Sequence, residues 1–143
     1  LLGPPPAELG FHVTDAELLA ASRRLVEEFW TMWVRSRHQL LGLRFPDHVD
    51  WVVFGLLRTW YTLREVDITT KPGAAAYGLA HLPPRWHPLI RQALARRAAP
   101  GPQPWRTRLV TALQAAAFAR HMVAECRQTR PKRDGDRAGT AAP

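Results

Sequence analysis

Apolar side chains recur along this chain at three- and four-residue steps, in runs separated by proline and glycine. No stretch alternates with the period of two that a half-buried strand requires. The first run opens at Thr14-Asp15-Ala16-Glu17, a capping box with Thr at the cap and Glu three residues on. Leu18, Leu25, Phe29, Trp30 and Trp33 follow at helical spacing and predict a helix from about 15 to the mid or late thirties. Segment 36–46 reads as a loop closed by Pro46. A second helix, capped by Asp47 or a neighbour, continues to about Val66. Its stripe is Val49, Val52, Val53, Leu56, Leu57, Trp60 and Leu63, while Trp51, Phe54, Gly55, Arg58, Tyr61 and Thr62 form another largely apolar face. A helix apolar on two sides is buried on two sides, so the second face must meet a helix, a partner domain or a ligand.

Thr69-Thr70-Lys71-Pro72 is a helix entrance and predicts a third helix over roughly 71–81, broken by Leu82-Pro83-Pro84. The fourth runs from about 86 to 98 through Trp86, Leu89, Ile90, Ala93 and Leu94. After the Pro100-Gly101-Pro102-Gln103-Pro104 loop comes a fifth, about 105–128, with Leu109, Val110, Leu113, Ala117, His121 and Ala124 expected to face inward. Residues 130–143 hold too little apolar surface to fold and read as a disordered basic tail. The expected architecture is all-α, one bundle of about five helices within residues 1–129.

Length and composition agree with that. A chain of 143 residues can bury roughly 70% of its unfolded surface without a staple. With 46% hydrophobic and 22% charged residues it is globular rather than disordered. The lone Cys126 excludes a disulfide framework and a cysteine-cluster zinc site. No apolar run approaches the 18 or so residues of a membrane span, and no basic-then-apolar leader opens the chain. A soluble, cytoplasmic protein without a membrane partner is expected. The start at Leu1, without an initiator Met, reads as a piece cut from something longer.

Charge adds an asymmetry. Residues 1–67 hold seven Arg and nine acidic residues, whereas residues 68–143 hold thirteen Lys or Arg and three acidic ones. Between Asp67 and Glu125 there is no acidic side chain, and such a face attracts phosphate on a nucleotide or a polynucleotide. Eighteen of the twenty cations are Arg, however, a bias that GC-rich coding produces with no functional demand.

Candidate chemistry is sparse. No acid–base pair or activated nucleophile is visible, the six histidines lack metal-ligand spacing, and Cys126 is explained by burial. His81, His87 and His121 read as satisfied or surface side chains, and no histidine follows an Arg at the spacing of a helical HEPN-type ribonuclease. Asp47 and Asp50, three apart, share a face and could bind a cation or cap the helix. Arg58 interrupts an apolar surface and needs an anionic partner, with Asp50 and Glu65 beyond single-turn reach. Lys71, one of two lysines, stands at a helix N-terminus beside free backbone N–H groups, an arrangement suited to phosphate.

Leu56-Leu57-Arg58-Thr59-Trp60-Tyr61-Thr62, then Lys71 with Ala74-Ala75, then Leu82-Pro83-x-x-Trp86-x-Pro88-Leu89-Ile90 resembles the helical C-terminal domain of aminoglycoside adenylyltransferases of the streptomycin/spectinomycin class. The resemblance covers roughly residues 1–98, with Leu2-Gly3-Pro4 and Trp33 in the right order. It implies a two-domain enzyme that moves AMP from Mg·ATP to an antibiotic hydroxyl. An N-terminal nucleotidyltransferase domain would hold the magnesium carboxylates, a Gly-Ser loop and the catalytic base. The present chain would close the cleft and show no turnover by itself. Carried over by position, Arg58 and Lys71 match the phosphate-contacting cations, and Trp33 matches the tryptophan against the aminoglycoside. Where the family carries an acid, this chain has His48, with Asp47 and Asp50 beside it. Six residues are inserted between Trp33 and Arg58, and segment 34–44 brings three Arg toward a site meant for a polycation. The alternative from the residues alone is a stand-alone basic helical module for nucleic acid or a protein. Against nucleic acid, the aromatics are committed to apolar stripes.

Overall fold

The structure, a computed structural model, describes residues 13–132, and these are helical with no strand. α1 (Asp15–Arg24) passes into a π-helical turn (Leu25–Trp30) and α2 (Thr31–Arg35) without a break, so the first predicted helix is one rod with a bulge. The capping box forms as the sequence requires: Glu17 N–H donates to Thr14 Oγ1 at 3.1 Å and Thr14 N–H to Glu17 Oε2 at 3.3 Å. The expected loop over 36–46 is instead mostly α3 (Arg37–Leu41) and a 3₁₀ turn (Gly42–Arg44). Ser36 starts it by accepting from Gln39 N–H at 3.3 Å, a cap that a search for long apolar stripes passes over.

α4 (Pro46–Glu65) is the axis of the fold, and α1, α5 (Lys71–His81), α6 (His87–Ala98) and α7 (Trp105–Gln128) pack around it. The predicted stripe is buried from Val49 to Leu63, and Phe54 and Thr62 of the second face are buried as well. Asp47 does not cap α4. Pro46 begins the helix behind an extended Phe45 that makes no side-chain cap, and Asp47 lies in the first turn, where its charge favours the helix dipole. α4 stops at Val66, left-handed at φ 53° with its N–H on Thr62 O at 2.9 Å. That conformation costs a β-branched residue about 1–3 kcal/mol, offset by burial of the Val66 side chain. Gly78 lets α5 lie directly on its neighbours, since a Cβ there would stand 2.9 Å from Leu57 Cδ2 and 3.1 Å from Ile90 Cδ1.

Of the inward face expected of α7 only His121 is partly buried, its ring 5.3 Å from that of Trp86. Thr111, Ala115, Phe118, Ala119, Met122, Val123 and Cys126 are buried, whereas Leu109, Val110 and Leu113 are exposed and Ala117 and Ala124 face solvent. Both faces of this Ala-rich helix carry apolar side chains, and periodicity cannot choose between them. Shape does: Ala115 and Ala119 allow close approach while Phe118 and Met122 fill the interior, with Phe118 edge-on to Trp86 at 5.5 Å. Burial pushes the Cys126 thiol up to about 12. We expect an aromatic disulfide reagent at pH 8 to modify Cys126 only as fast as the chain opens; labelling of the folded chain at the rate of free cysteine would refute this packing.

After α7 the chain turns back along α4. Lys132 N–H donates to Arg64 O at 3.0 Å and its ammonium meets Glu65 Oε1 at 2.7 Å, where Tyr77 OH also donates at 2.6 Å. Burial would push the Glu65 carboxyl up, but the bonds from Lys132 and Tyr77 hold it below its ordinary value. Residues 130–132 of the expected tail are thus described beside α4; residues 133–143 lie outside the described residues, as does the Leu2-Gly3-Pro4 opening. No described helix is long and apolar enough to cross a membrane.

Candidate functional site

A groove of about 490 Å³ runs between α1, α4 and the 66–70 loop. Its first wall, Leu18, Ser22, Leu25 and Phe29, is set by the π-helical turn. The turn adds a residue to one helical winding and is marked by Thr31 N–H donating to Val26 O, five residues back, an oxygen that also accepts from Thr31 Oγ1 at 2.8 Å. Val26, Trp30 and Trp33 thereby rotate into the core, and Leu25 and Phe29 rotate to the groove, 44% and 40% exposed. The α4 wall carries Trp51, Gly55, Arg58, Thr59 and Thr62, four of them from the predicted second face, whereas Phe54 of that face is in the core and Tyr61 meets Tyr77. Gly55 admits the indole of Trp30 against the α4 backbone, for a Cβ there would lie 3.0 Å from Trp30 Cζ2. Ile68 and Thr69 close the end.

Aromatic rings line one end in sequence. Phe29 meets Trp30 edge-on at 5.0 Å and Trp51 edge-on at 5.9 Å, and Trp51 stacks on His48 at 5.6 Å and 24°. His48 in turn faces Trp33 at 5.9 Å. Trp33 is only 3% exposed, so the residue matched to the drug-packing tryptophan is a core side chain here. Trp51, at 47%, presents the open ring. Sequence reading singled out neither Trp51 nor Phe29 as a site residue. The available signal was that Trp51 lies on the α4 face the main stripe leaves over; Phe29 gave none, because it falls within the apolar stripe of the first helix.

The carboxylates separate. Asp47 is exposed on the first turn of α4. Asp50 is gripped by Arg96 across α4 and α6, with Nε 3.0 and 3.1 Å from its two oxygens and a terminal nitrogen 2.6 Å from Oδ1. That bidentate pair, at 8% and 20% side-chain exposure, leaves Asp50 a structural task.

Arg58 is exposed on the groove wall and has no ion-pair or hydrogen-bond partner among the described residues. The two acids nearest it in sequence are both committed elsewhere, Asp50 to Arg96 and Glu65 to Lys132. No acidic side chain lines the groove, and Arg58 is the one Lys or Arg on its lining. Lys71 is exposed at the first position of α5, two residues beyond Thr69 on the groove wall. The helix end beside it offers fewer amides than expected, because Pro72 has none and Gly73 N–H already bonds Thr70 Oγ1 at 3.1 Å. Any anion there would be held by the ammonium. Among the described residues no three His, Cys, Asp or Glu side chains are grouped to hold a metal ion.

No curated protein and no solved structure matches the chain. The profile of the family described as aminoglycoside adenylyltransferase, C-terminal domain, matches residues 17–125, which include all of α4, α5 and α6 and most of α7. The chain therefore belongs to the family of aminoglycoside adenylyltransferase C-terminal domains.

Proposed function

We propose that this chain is the cleft-closing domain of an adenylyltransferase, working in the cytoplasm against an N-terminal nucleotidyltransferase domain that lies outside it. The reaction is attack of an acceptor hydroxyl on the α-phosphorus of ATP, forming a phosphodiester to AMP and releasing pyrophosphate. The carboxylates that bind magnesium and take the hydroxyl proton belong to the other domain. This chain contributes Arg58, and Lys71 beside it, as fixed positive charge toward the polyphosphate. One observation carries the reading. Arg58, which the resemblance matches to the family's phosphate-contacting Arg, has no partner among the described residues and lines a groove that holds no acid.

Arg58→Ala in the two-domain protein should lower kcat/KM for ATP by a factor equivalent to about 2–4 kcal/mol. Unchanged steady-state kinetics would remove the role. A stand-alone basic module is the competing reading, favoured by the exposed Arg85, Arg91, Arg97, Arg106 and Arg120 of the acid-free stretch. It requires polynucleotide binding that weakens steeply with salt, which a gel shift at moderate salt would reveal.

A further inference from the structure

We propose that the outer face of α7 is a self-association surface, on which two copies of this chain pair about a two-fold axis. The face carries Trp105, Leu109 and Leu113 at steps of four, with Val110 beside them and Phe45 across a hollow. Leu109, Val110 and Leu113 are the side chains whose spacing predicts burial, yet Trp105 and Leu113 are 62% and 66% exposed and nothing among the described residues covers them. The exposed parts of these five side chains come to roughly 600 Å² of mostly apolar surface, the upper end of what a soluble monomer leaves in one patch. With a polar rim added, that approaches the about 800 Å² per partner of a standard interface.

Shape selects the occupant. Trp105, Leu109 and Leu113 form a ridge along the four-residue row of the helix, and beside it lies a hollow of about 480 Å³ lined by Arg44, Phe45, Trp105, Arg108, Leu109 and Ala112. A ridge and a hollow on one face are what a two-fold pairing needs, because Leu113 of each copy enters the hollow of the other. Ala112 and Ala116 keep the neighbouring row low, so the two α7 helices can approach closely. No α7 residue lines the groove that holds Arg58, so the pairing stands independently of the transferase reading. Charge opposes it in part. Arg44 lies over the Phe45 ring at 4.8 Å, Arg106 over the Trp105 ring at 5.4 Å, and α7 holds no acid before Glu125. Two copies therefore bring like charges to the rim, which makes the dimer weak and lets salt strengthen it.

The test is sedimentation velocity of the full chain over a wide concentration range, at low and at high salt. A reversible monomer–dimer equilibrium is expected, with a dissociation constant that falls at least about three-fold from low to high salt. Leu113→Gln or Trp105→Ala, at the centre of the contact, should raise that constant at least about ten-fold. Ile68→Gln, an equally exposed apolar side chain on the Arg58 groove, should leave it unchanged. Because the ridge is exposed in the single chain, its variants should melt like the parent at concentrations where both are monomeric, which shows that they are folded. A monomer at every concentration, a dimer that weakens with salt, or a dimer indifferent to Leu113→Gln and Trp105→Ala overturns the proposal. Two results would give the face to another occupant and overturn it as well. A monomeric chain that sediments with phosphatidylserine vesicles through Trp105 assigns the ridge to an anionic lipid surface. A dimer that disappears when the nucleotidyltransferase domain is joined assigns it to that domain.

Discussion

Arg96→Ala should destabilise the chain by about 3–5 kcal/mol, read as a lowered urea midpoint at unchanged slope. Arg96 is 8% exposed and supplies every hydrogen bond found on the Asp50 side chain, two from Nε and one from a terminal nitrogen. Truncation leaves a carboxylate at 20% exposure without its counter-charge, and that uncompensated charge costs more than the intact pair contributes. The double variant Asp50→Leu with Arg96→Met should regain most of the loss, because it removes both charges and keeps the volume. A loss below about 1 kcal/mol for Arg96→Ala would show instead that the pair behaves like a solvated surface bridge. The consequence for function is direct. A weakened Asp50 variant would reflect a loosened contact between α4 and α6 before it reflected any contact with an acceptor.

Trp33→Ala should cost about 3–5 kcal/mol as well, a large part of the 5–15 kcal/mol typical of a domain. Its ring is 3% exposed and bridges Trp30, at 6.0 Å, to His48, at 5.9 Å, so removal opens a cavity behind the whole aromatic row. Trp51→Ala, by contrast, removes a half-exposed ring and should cost about 1 kcal/mol or less. Equilibrium unfolding of the two variants side by side checks the assignment. Comparable, small losses would mean that Trp33 is not the packed partner described. If Trp33→Ala abolishes an antibiotic-modifying activity while also lowering the melting temperature, the loss of fold is the sufficient cause.

The sites of mismatch between sequence and structure share a physical origin. α4 was legible because its main stripe is unbroken and its apolar residues are large, so one burial solution dominates. The capping box of α1, the Thr70 cap of α5 and the Pro-Gly breaks were legible because they are local, involving residues within four of one another. α7 was misread because two faces are nearly equally apolar and the partner surface chooses between them. The first helix was read as a single stripe through Leu18, Leu25, Phe29, Trp30 and Trp33; Trp30 and Trp33 are buried, whereas Leu18, Leu25 and Phe29 line the groove, the last two turned there by the π-helical winding. Nothing within the helix announces that rotation.

Sequence alone determined the helical class, the position of the long central helix, the family likeness over the Arg58 and Leu82-Pro83 blocks, and the two cations worth following, since each of these depends on spacing along one segment. Tertiary structure decided which tryptophan is open, which aspartate is already taken and whether Arg58 is free. Those are contests among side chains that are distant in sequence, Arg96 with Asp50, Trp33 with His48, Lys132 with Glu65, and only the packed chain brings the contestants together.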